Sequence, residues 1–262
     1  MKANSKVWII HMIRKRCRVF SPPNHYFCGM NEYLSETPML DYSAGPIRSL
    51  VEERGWLRLD EFGRIKAIYY FIRDEILFGY NSDDTIPATR VLADGIGQCN
   101  TKGTLFMALL RACGIPCRIH GFTIDKRLQK GAMTGLVYRS APRNIFHSWV
   151  EVLYDGRWLE LEGFILDKTY LSSLQSLFSA CCGKFVGYGV AVRDFQHPSV
   201  DFDGGNTYIQ SEGITQDFGI YPDPDTLLKV HHQEMSSVKA FMYRHIGRHF
   251  MNRNVWAIRN RI

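Results

Sequence analysis

Two residues of this sequence are placed to do covalent chemistry: Cys99 opens a predicted helix, and His147 lies near the start of a predicted hairpin. Cys99 follows the loose run Gly95-Ile96-Gly97-Gln98 and opens an apolar-faced segment, which predicts a helix that begins at the cysteine. A thiol at a helix N-terminus faces unpaired backbone N–H groups and the positive end of the helix dipole, and both favour the thiolate. The same N–H groups can stabilise the oxyanion formed when a thiolate attacks a carbonyl.

The clearest hairpin of the sequence runs from Phe146 to Glu162, where Asp155-Gly156 joins two strand-like runs, and His147 lies near its start. A two-residue turn fixes the register of its strands, and this register places Trp149 opposite Glu162 on the face that also carries His147. His147 and Glu162 are then diagonal neighbours, roughly 7–8 Å apart at the backbone, a gap that two long side chains bridge. A carboxylate in that place orients the imidazole and stabilises its cation, as in a nucleophile–base–acid triad.

Two other carboxylates compete with Glu162 for this orienting role. Glu160 shares the face but opposes Glu151, farther from His147 along the strand. Asp167 falls on the opposite face if the strand continues without a bulge. Glu162 is therefore the expected third member of the site.

The elements that must position these residues follow an α+β order, with helices first and an antiparallel sheet after them. Asp60 is the expected cap of a helix with apolar residues at helical spacing, and a short helix follows Pro87. Gly114-Ile115-Pro116 ends the cysteine helix, and Cys117 to Ile124 predicts a strand before the hairpin. The cysteine helix is expected to pack against the sheet that carries the histidine and the acid.

These motifs together resemble the transglutaminase-like superfamily of papain-like thiol enzymes. The matching stretches are Leu92-Ala93-Asp94-Gly95, Gly97-Gln98-Cys99, Arg111 to Pro116, His147 to Val152 and Asp155-Gly156-Arg157-Trp158. The resemblance implies a papain-like core over about 60–168 and a C-terminal elaboration over 169–262. Residues 30–59 and 195–262 look like segments of bacterial members with the same core.

The resemblance implies attack of the Cys99 thiolate on an amide or ester carbonyl, with His147 as base and Glu162 orienting it. Capture of the thioester by an amine or by water would make the protein a transamidase, amidase or peptidase acting on a peptide, protein or small amide. Gln98 is expected to position substrate or the oxyanion, or else to tie down its own loop. Trp149 is expected to shield the thioester or to pack in the core. No cofactor is implied.

The sequence departs from the superfamily at the acid, where Glu162 replaces the usual aspartate. Glutamate can orient a histidine with one more methylene, but the change leaves open a loss of activity or a transfer of the role to Asp167. The alternative function is a catalytically inactive relative that keeps the fold as a peptide-binding or interaction module. Peptide N-glycanases and arylamine N-acetyltransferases share the Cys–His–acid layout, and the spacing between histidine and acid does not separate these branches.

The composition is that of an ordinary globular protein, with 262 residues of which 45% are apolar and 22% charged. The longest uncharged stretch, 169–183, is too short and too polar for a bilayer span of about 20 residues. Ser21-Pro22-Pro23-Asn24 breaks regular structure, so we expect one domain over 30–262 and a disordered basic arm or upstream extension over 1–29. The seven cysteines are odd in number and include the adjacent Cys181-Cys182, which favours free thiols in the cytoplasm.

The net charge of +6 is unevenly distributed along the chain. Residues 1–31 carry six Lys or Arg and no acid, residues 239–262 do the same, and the body between them is therefore acidic. Solvated charge is the simplest interpretation of these basic ends, which also allow weak contact with an anionic surface. No nucleic-acid-binding motif accompanies them, so no specific nucleic-acid partner is expected.

Two patterns that could suggest a metal site do not reach the required spacing. Cys113, Cys117 and His120 lack a second ligand pair at zinc-finger spacing, and the thiols are expected in the core. The aspartates of the C-terminal third do not follow a calcium-loop pattern and are interpreted as turn and cap residues. No metal is therefore expected.

Two further expectations concern helices. Lys102, in the first turn of the cysteine helix, is expected to be a solvent-facing or substrate-side cation. Asp225 to about Trp256 is expected to be helical, and its apolar side contains Met235, Val238, Met242 and Ile246.

Overall fold

The computed structural model describes residues 31–233 and 235–261, so the predicted basic arm over 1–29 lies outside the described residues. The helices are α1 (Gly45–Arg54), α2 (Glu61–Asp74), α3 (Ala88–Asp94), α4 (Cys99–Ala112), α5 (Gly135–Ser140), α6 (Lys168–Leu177), α7 (Pro224–Val230), α8 (Ser237–Met242) and α9 (Arg248–Arg259). The strands are β1 (Leu77–Phe78), β2 (Ile96–Gly97), β3 (Cys117–Asp125), β4 (Asn144–Tyr154), β5 (Arg157–Leu161), β6 (Phe185–Gly187), β7 (Val190–Val192) and β8 (Ile214–Tyr221). The predicted division into a core over about 60–168 and an elaboration over 169–262 stays a prediction.

The main sheet is antiparallel, with the strand order β5-β4-β3-β8. Its β4–β5 hairpin has the register that the sequence predicts, because Tyr154 pairs with Arg157 and Val150 pairs with Leu161. Asp155 and Gly156 both have positive φ, at 49° and 71°, as a type I′ turn requires. With helices before the sheet and around it, the fold is α+β, as expected.

Helix α4 is the centre of the fold and is enclosed on all sides. Every residue from Cys99 to Arg111 is buried, and α1, α2, α3 and β4 all pack against the helix. Because this helix is buried on every side, none of its faces is turned to solvent. Its position brings the N-terminus of α4, where Cys99 lies, against the strand that carries His147.

The expectation that Lys102 faces solvent or substrate is wrong. Its side chain is fully buried, and Nζ donates to the carbonyl oxygens of Arg73 (3.2 Å) and Ile165 (3.1 Å). Arg73 O belongs to the last turn of α2, whose unpaired carbonyls attract a cation. Burial lowers the pKa of Lys102 to about 7, since no carboxylate contacts its ammonium group directly.

The single helix predicted from Asp225 to about Trp256 is interrupted. Helix α7 ends at Val230, and a new helix begins after Ser236, whose hydroxyl caps it by accepting from the N–H of Lys239. From Ser237 the chain stays helical to Arg259, passing through a π-helical turn over Tyr243–Gly247.

Candidate active site

Cys99 is the first residue of α4, in the position that the sequence predicts. The backbone N–H groups of Cys99 and Asn100 have no intrahelical acceptor, because they belong to the first turn. The backbone N–H of Gln98 instead donates to Thr101 Oγ1 at 3.1 Å and so fixes the start of the helix. The Cys99 side chain is only 9% exposed, so access to the thiol is restricted in this conformation.

His147 contacts Glu162 directly, with 2.7 Å between Nε2 and Oε1, and both side chains are fully buried. Within the described residues, its other ring nitrogen, Nδ1, has no well-oriented hydrogen-bond partner. Burial by itself lowers the pKa of His147, but the adjacent Cys99 and Glu162 outweigh burial and raise it above its usual value. The imidazolium form is therefore favoured next to the thiol.

Glu162 is held by a cage of backbone N–H groups. Its second oxygen, Oε2, accepts from the N–H groups of Ile209 (2.8 Å), Gln210 (2.8 Å) and Ser211 (3.0 Å). Three such donors stabilise the negative charge and fix the orientation of the carboxylate. The cage comes from a segment without a readable sequence pattern, so nothing in the sequence could have indicated it.

The two competing carboxylates are engaged elsewhere. Asp167 caps α6 through the N–H of Tyr170 and forms an ion pair with Arg259 at 2.7 Å. Glu160 accepts a hydrogen bond from the hydroxyl of Tyr208. Of the three candidates, the structure brings only Glu162 into contact with His147.

The sequence analysis did not identify Asp84. In the structure, Asp84 binds the side chains of the two residues that flank Cys99 in the chain. Its carboxylate accepts from Gln98 Nε2 at 2.7 Å and from Asn100 Nδ2 at 3.0 Å, and burial raises its pKa. The amide oxygen of Gln98 accepts from the N–H of Asn81 at 3.1 Å. Both ends of the Gln98 amide are thus used within the protein, where they tie the 81–84 loop to the start of α4.

A direct link joins the cysteine helix to the histidine strand. The hydroxyl of Ser148 donates to Asn100 Oδ1 at 2.8 Å, between the residues that follow His147 and Cys99. Asn100 therefore contacts the 81–84 loop with one end of its amide and β4 with the other. This connection sets the distance between helix and strand at the candidate site.

Trp149 lies on the same sheet face as His147 and is packed among aromatic rings. Its ring centroid is 4.2 Å from that of Phe122 and 5.9 Å from that of Tyr208. The indole Nε1 is buried without a partner among the described residues, and the side chain is 6% exposed. Trp149 thus packs beside the candidate site.

A second histidine on this face, His120, has carboxylates at both ring nitrogens. Its Nδ1 is 3.0 Å from Glu151 Oε1, and its Nε2 is 2.8 Å from Asp217 Oδ1. Burial lowers the pKa of His120, but these two carboxylates raise it above its usual value. Arg118 pairs with Glu151 at 2.6 Å and completes the cluster.

The structure does not bring Cys113, Cys117 and His120 together as metal ligands. Both thiols are buried in the core, and burial raises the pKa of each to about 11. Over residues 31–233 and 235–261, no group of three or more His, Cys, Asp or Glu side chains is placed to hold a metal ion.

The C-terminal segment contacts both sides of the Cys99–His147 pair. Gln233 Oε1 accepts from the N–H of Phe146 at 2.9 Å, beside the histidine. The hydroxyl of Tyr243 donates to Asn81 O at 3.1 Å, and the side chain of Asn81 in turn accepts from Thr101 in the first turn of α4. These contacts attach the C-terminal part of the chain to both elements of the candidate site.

Comparison with known proteins supports the family that this geometry suggests. The family model "Transglutaminase-like superfamily" matches residues 51–163, which contain Cys99, His147 and Glu162. Residues 51–163 therefore match the superfamily that the sequence motifs resemble.

The chain is also similar to individual known proteins over limited lengths. An uncharacterized protein of Bacillus subtilis, YebA, is 28% identical over 125 residues, which are 43% of this chain and 17% of YebA. The chain therefore spans less than a fifth of that relative. A crystal structure from Cytophaga hutchinsonii, of a protein provisionally assigned as a cysteine protease, is 14% identical with a TM-score of 0.40 and is matched over 75% of this chain and 48% of its own.

Proposed function

We propose that this protein is a thiol-dependent enzyme that transfers or hydrolyses the acyl group of an amide. Cys99 is the nucleophile, His147 the proton carrier, and Glu162 the group that orients the histidine. The observation that carries the proposal is the arrangement of His147, which contacts an anchored carboxylate through one ring nitrogen and leaves the other on the side of Cys99. The acyl donor is a peptide, a protein or a small amide.

In the first half of the reaction, the Cys99 thiolate attacks the carbonyl carbon of the amide and a C–S bond forms. The negative charge moves to the carbonyl oxygen, where the free N–H groups of Cys99 and Asn100 can stabilise it. The imidazolium of His147 then gives its proton to the departing nitrogen as the C–N bond breaks. The products are a thioester and a free amine.

In the second half, neutral His147 removes a proton from water or from an acceptor amine, which attacks the thioester carbon. The C–S bond breaks and the thiolate leaves, so that the imidazolium–thiolate pair is restored. Glu162 stabilises the imidazolium at each stage, and its three backbone donors prevent it from turning away.

The test is the pH dependence of Cys99 alkylation by a small reagent, followed by peptide mass spectrometry. An unperturbed thiol titrates near a pKa of about 8.5, whereas an activated one reacts well below that pH. We expect Cys99 to be alkylated at pH values down to about 6. In His147→Ala, we expect this reaction at low pH to be lost. The exposed and free Cys182 is the reference in the same chain.

The same experiment tests the alternative, a catalytically inactive module that keeps the fold to bind a peptide or a partner. The observation that favours this alternative is the covered site, with Cys99 at 9% and His147 at 0% exposure. An alkylation profile centred near pH 8.5 and unchanged in His147→Ala would contradict the enzymatic proposal and favour the module.

The proposed setting is a reducing cytoplasm with a peptide, protein or small amide as partner and without a specific nucleic acid. Five free cysteines in the described residues support a reducing compartment, since nucleophilic thiol chemistry requires that Cys99 stay unoxidised. Intact-mass measurement before and after treatment with a reductant would detect any disulfide that contradicts this setting.

A further inference from the structure

The C-terminal helical segment, Ser237–Arg259, has an apolar stripe on its solvent side. Four side chains at four-residue intervals form the stripe, and each is exposed: Val238 (73%), Met242 (47%), Ile246 (43%) and Phe250 (62%). The opposite side of the segment carries the buried Met251, Val255 and Ile258, which anchor it to the rest of the protein. The sequence analysis placed Val238, Met242 and Ile246 on the apolar side of a predicted helix. In the structure, a different side of the segment packs against the core.

The stripe lies in a segment without any acidic residue. Residues 239–262 carry six Lys or Arg and no Asp or Glu. Among them, Lys239, Arg253 and Arg261 are exposed. Two other arginines of the segment are paired on its protein side, Arg244 with Asp83 and Arg259 with Asp167. The solvent side therefore combines aliphatic and aromatic surface with the cations Lys239, Arg253 and Arg261, which form no ion pair within residues 31–233 and 235–261.

Charge argues against two ways of covering this surface from within. Residues 1–31 also carry six cations and no acid, so they offer no opposite charge to the segment. Pairing of the segment with its copy in a second chain would likewise place two basic surfaces side by side. The segment therefore requires an anionic partner, which the basic ends of the chain do not provide.

Nucleic acid matches the charge but not the stripe. Phosphate contacts satisfy Lys and Arg, but Val238, Met242 and Ile246 would gain little there, because they lack the flat rings on which bases stack. The boundary between anionic headgroups and acyl chains satisfies both features at once, burying the stripe while the cations meet the headgroups. Over residues 31–233 and 235–261, no helix has the length and apolar character to cross a bilayer. The segment is suited to lie on a bilayer.

We propose that Ser237–Arg259 is a docking element for anionic bilayers, with the Val238–Met242–Ile246–Phe250 stripe buried in the interface. The contact holds the protein at a membrane surface while the anchoring side of the helix stays on the domain. This inference is independent of the chemistry at Cys99.

The test is co-sedimentation of the full chain with vesicles of phosphatidylcholine, with and without about 30% phosphatidylglycerol. We expect at least tenfold stronger binding to the anionic vesicles, weakening severalfold or more as salt rises from about 50 mM to 500 mM. The variant Val238→Ser/Met242→Ser/Phe250→Ser should lose at least tenfold of this binding. The control Leu57→Ser/Leu59→Ser removes two side chains that are similarly exposed, at 58% and 41%, but lie outside the segment, and should bind like the unaltered chain.

Folding is checked by circular dichroism, and the salt series on the unaltered chain does not depend on any variant. Equal binding to both kinds of vesicle, or full binding by the stripe variant, would overturn the proposal. So would sedimentation equilibrium showing a dimer that the stripe variant abolishes without vesicles, because the stripe would then be a protein interface.

Discussion

Two histidine–carboxylate clusters lie on the same face of the main sheet, and they differ in what contacts the second ring nitrogen of the histidine. His120 has a carboxylate at each ring nitrogen, Glu151 and Asp217. His147 has one carboxylate, Glu162, and its other nitrogen is left on the side of Cys99. Neighbouring groups raise the pKa of both histidines, Cys99 and Glu162 at His147 and two carboxylates at His120. Only His147 has a ring nitrogen free to exchange a proton with a nucleophile. A raised pKa therefore indicates that the imidazolium form is stabilised. A ring nitrogen without a hydrogen-bond partner indicates that the histidine can transfer a proton.

The carboxylates of the two clusters are held in different ways. Glu151 is paired with side chains, Arg118 and His120. Glu162 is held by three backbone N–H groups, which cannot rotate away as side chains can. Backbone anchoring leaves one carboxylate oxygen dedicated to the histidine, which is what a proton-transfer site needs.

The largest expected effect separates the two histidines. His147→Ala should slow acylation of Cys99 by an activated ester about 10³-fold or more, because the thiol loses its proton acceptor. The matched variant His120→Ala should acylate within about threefold of the unaltered chain, since both nitrogens of His120 face carboxylates. Single-turnover acylation, followed by mass spectrometry, measures both. Equal losses in the two variants would contradict the proposed difference between the two histidines.

The second contrast concerns the two glutamates. Glu162→Gln should slow acylation by about 10²- to 10⁴-fold, because a neutral amide stabilises imidazolium poorly and must turn an N–H group toward a donor. Glu151→Gln, with the same change of chemistry, should slow it no more than about threefold. Wild-type acylation by Glu162→Gln would show that the carboxylate only supports the fold.

A smaller effect is expected from shortening the acid. Glu162→Asp restores the residue that is usual in the superfamily, but the carboxylate would no longer reach both His147 and the N–H groups of Ile209, Gln210 and Ser211. We expect acylation to slow by about 10- to 10²-fold, the cost of a misplacement of about 1 Å. Activity equal to that of the unaltered chain would mean that the 209–211 segment follows the shorter side chain.

The smallest effect is on stability and concerns His120. Because its folded pKa is raised, its contribution is fully present below the unfolded value of about 6.5 and is lost as pH rises through the folded value. The free energy of unfolding should therefore exceed that of His120→Asn by on the order of 1–2 kcal/mol near pH 6, and by less at pH 9. Urea titrations at the two pH values measure this difference. A gap that widens with pH would contradict the assignment of a cationic His120.

Local sequence patterns were enough to predict where the candidate catalytic residues lie along their elements. The loose Gly-rich run before Cys99 predicted the start of α4, and the Asp155-Gly156 turn predicted the hairpin register. Register then indicated Glu162 ahead of Glu160 and Asp167. The start of the helix and the register of the hairpin were predictable because helix starts and two-residue turns depend on neighbours in the chain.

Only the tertiary structure decided what surrounds those residues. Three features join segments that are distant along the chain: the N–H cage at 209–211, the Asp84 contacts on both sides of Cys99, and the hydrogen bond from Tyr243 to Asn81. Lys102 shows the same limit, because a lysine in a helix is expected to face solvent unless other elements enclose that helix. The sequence by itself thus determined the order and facing of the thiol, the histidine and the acid. The packing of distant segments determined their distances, their charges and their access to solvent, since burial and long-range contacts depend on the whole fold.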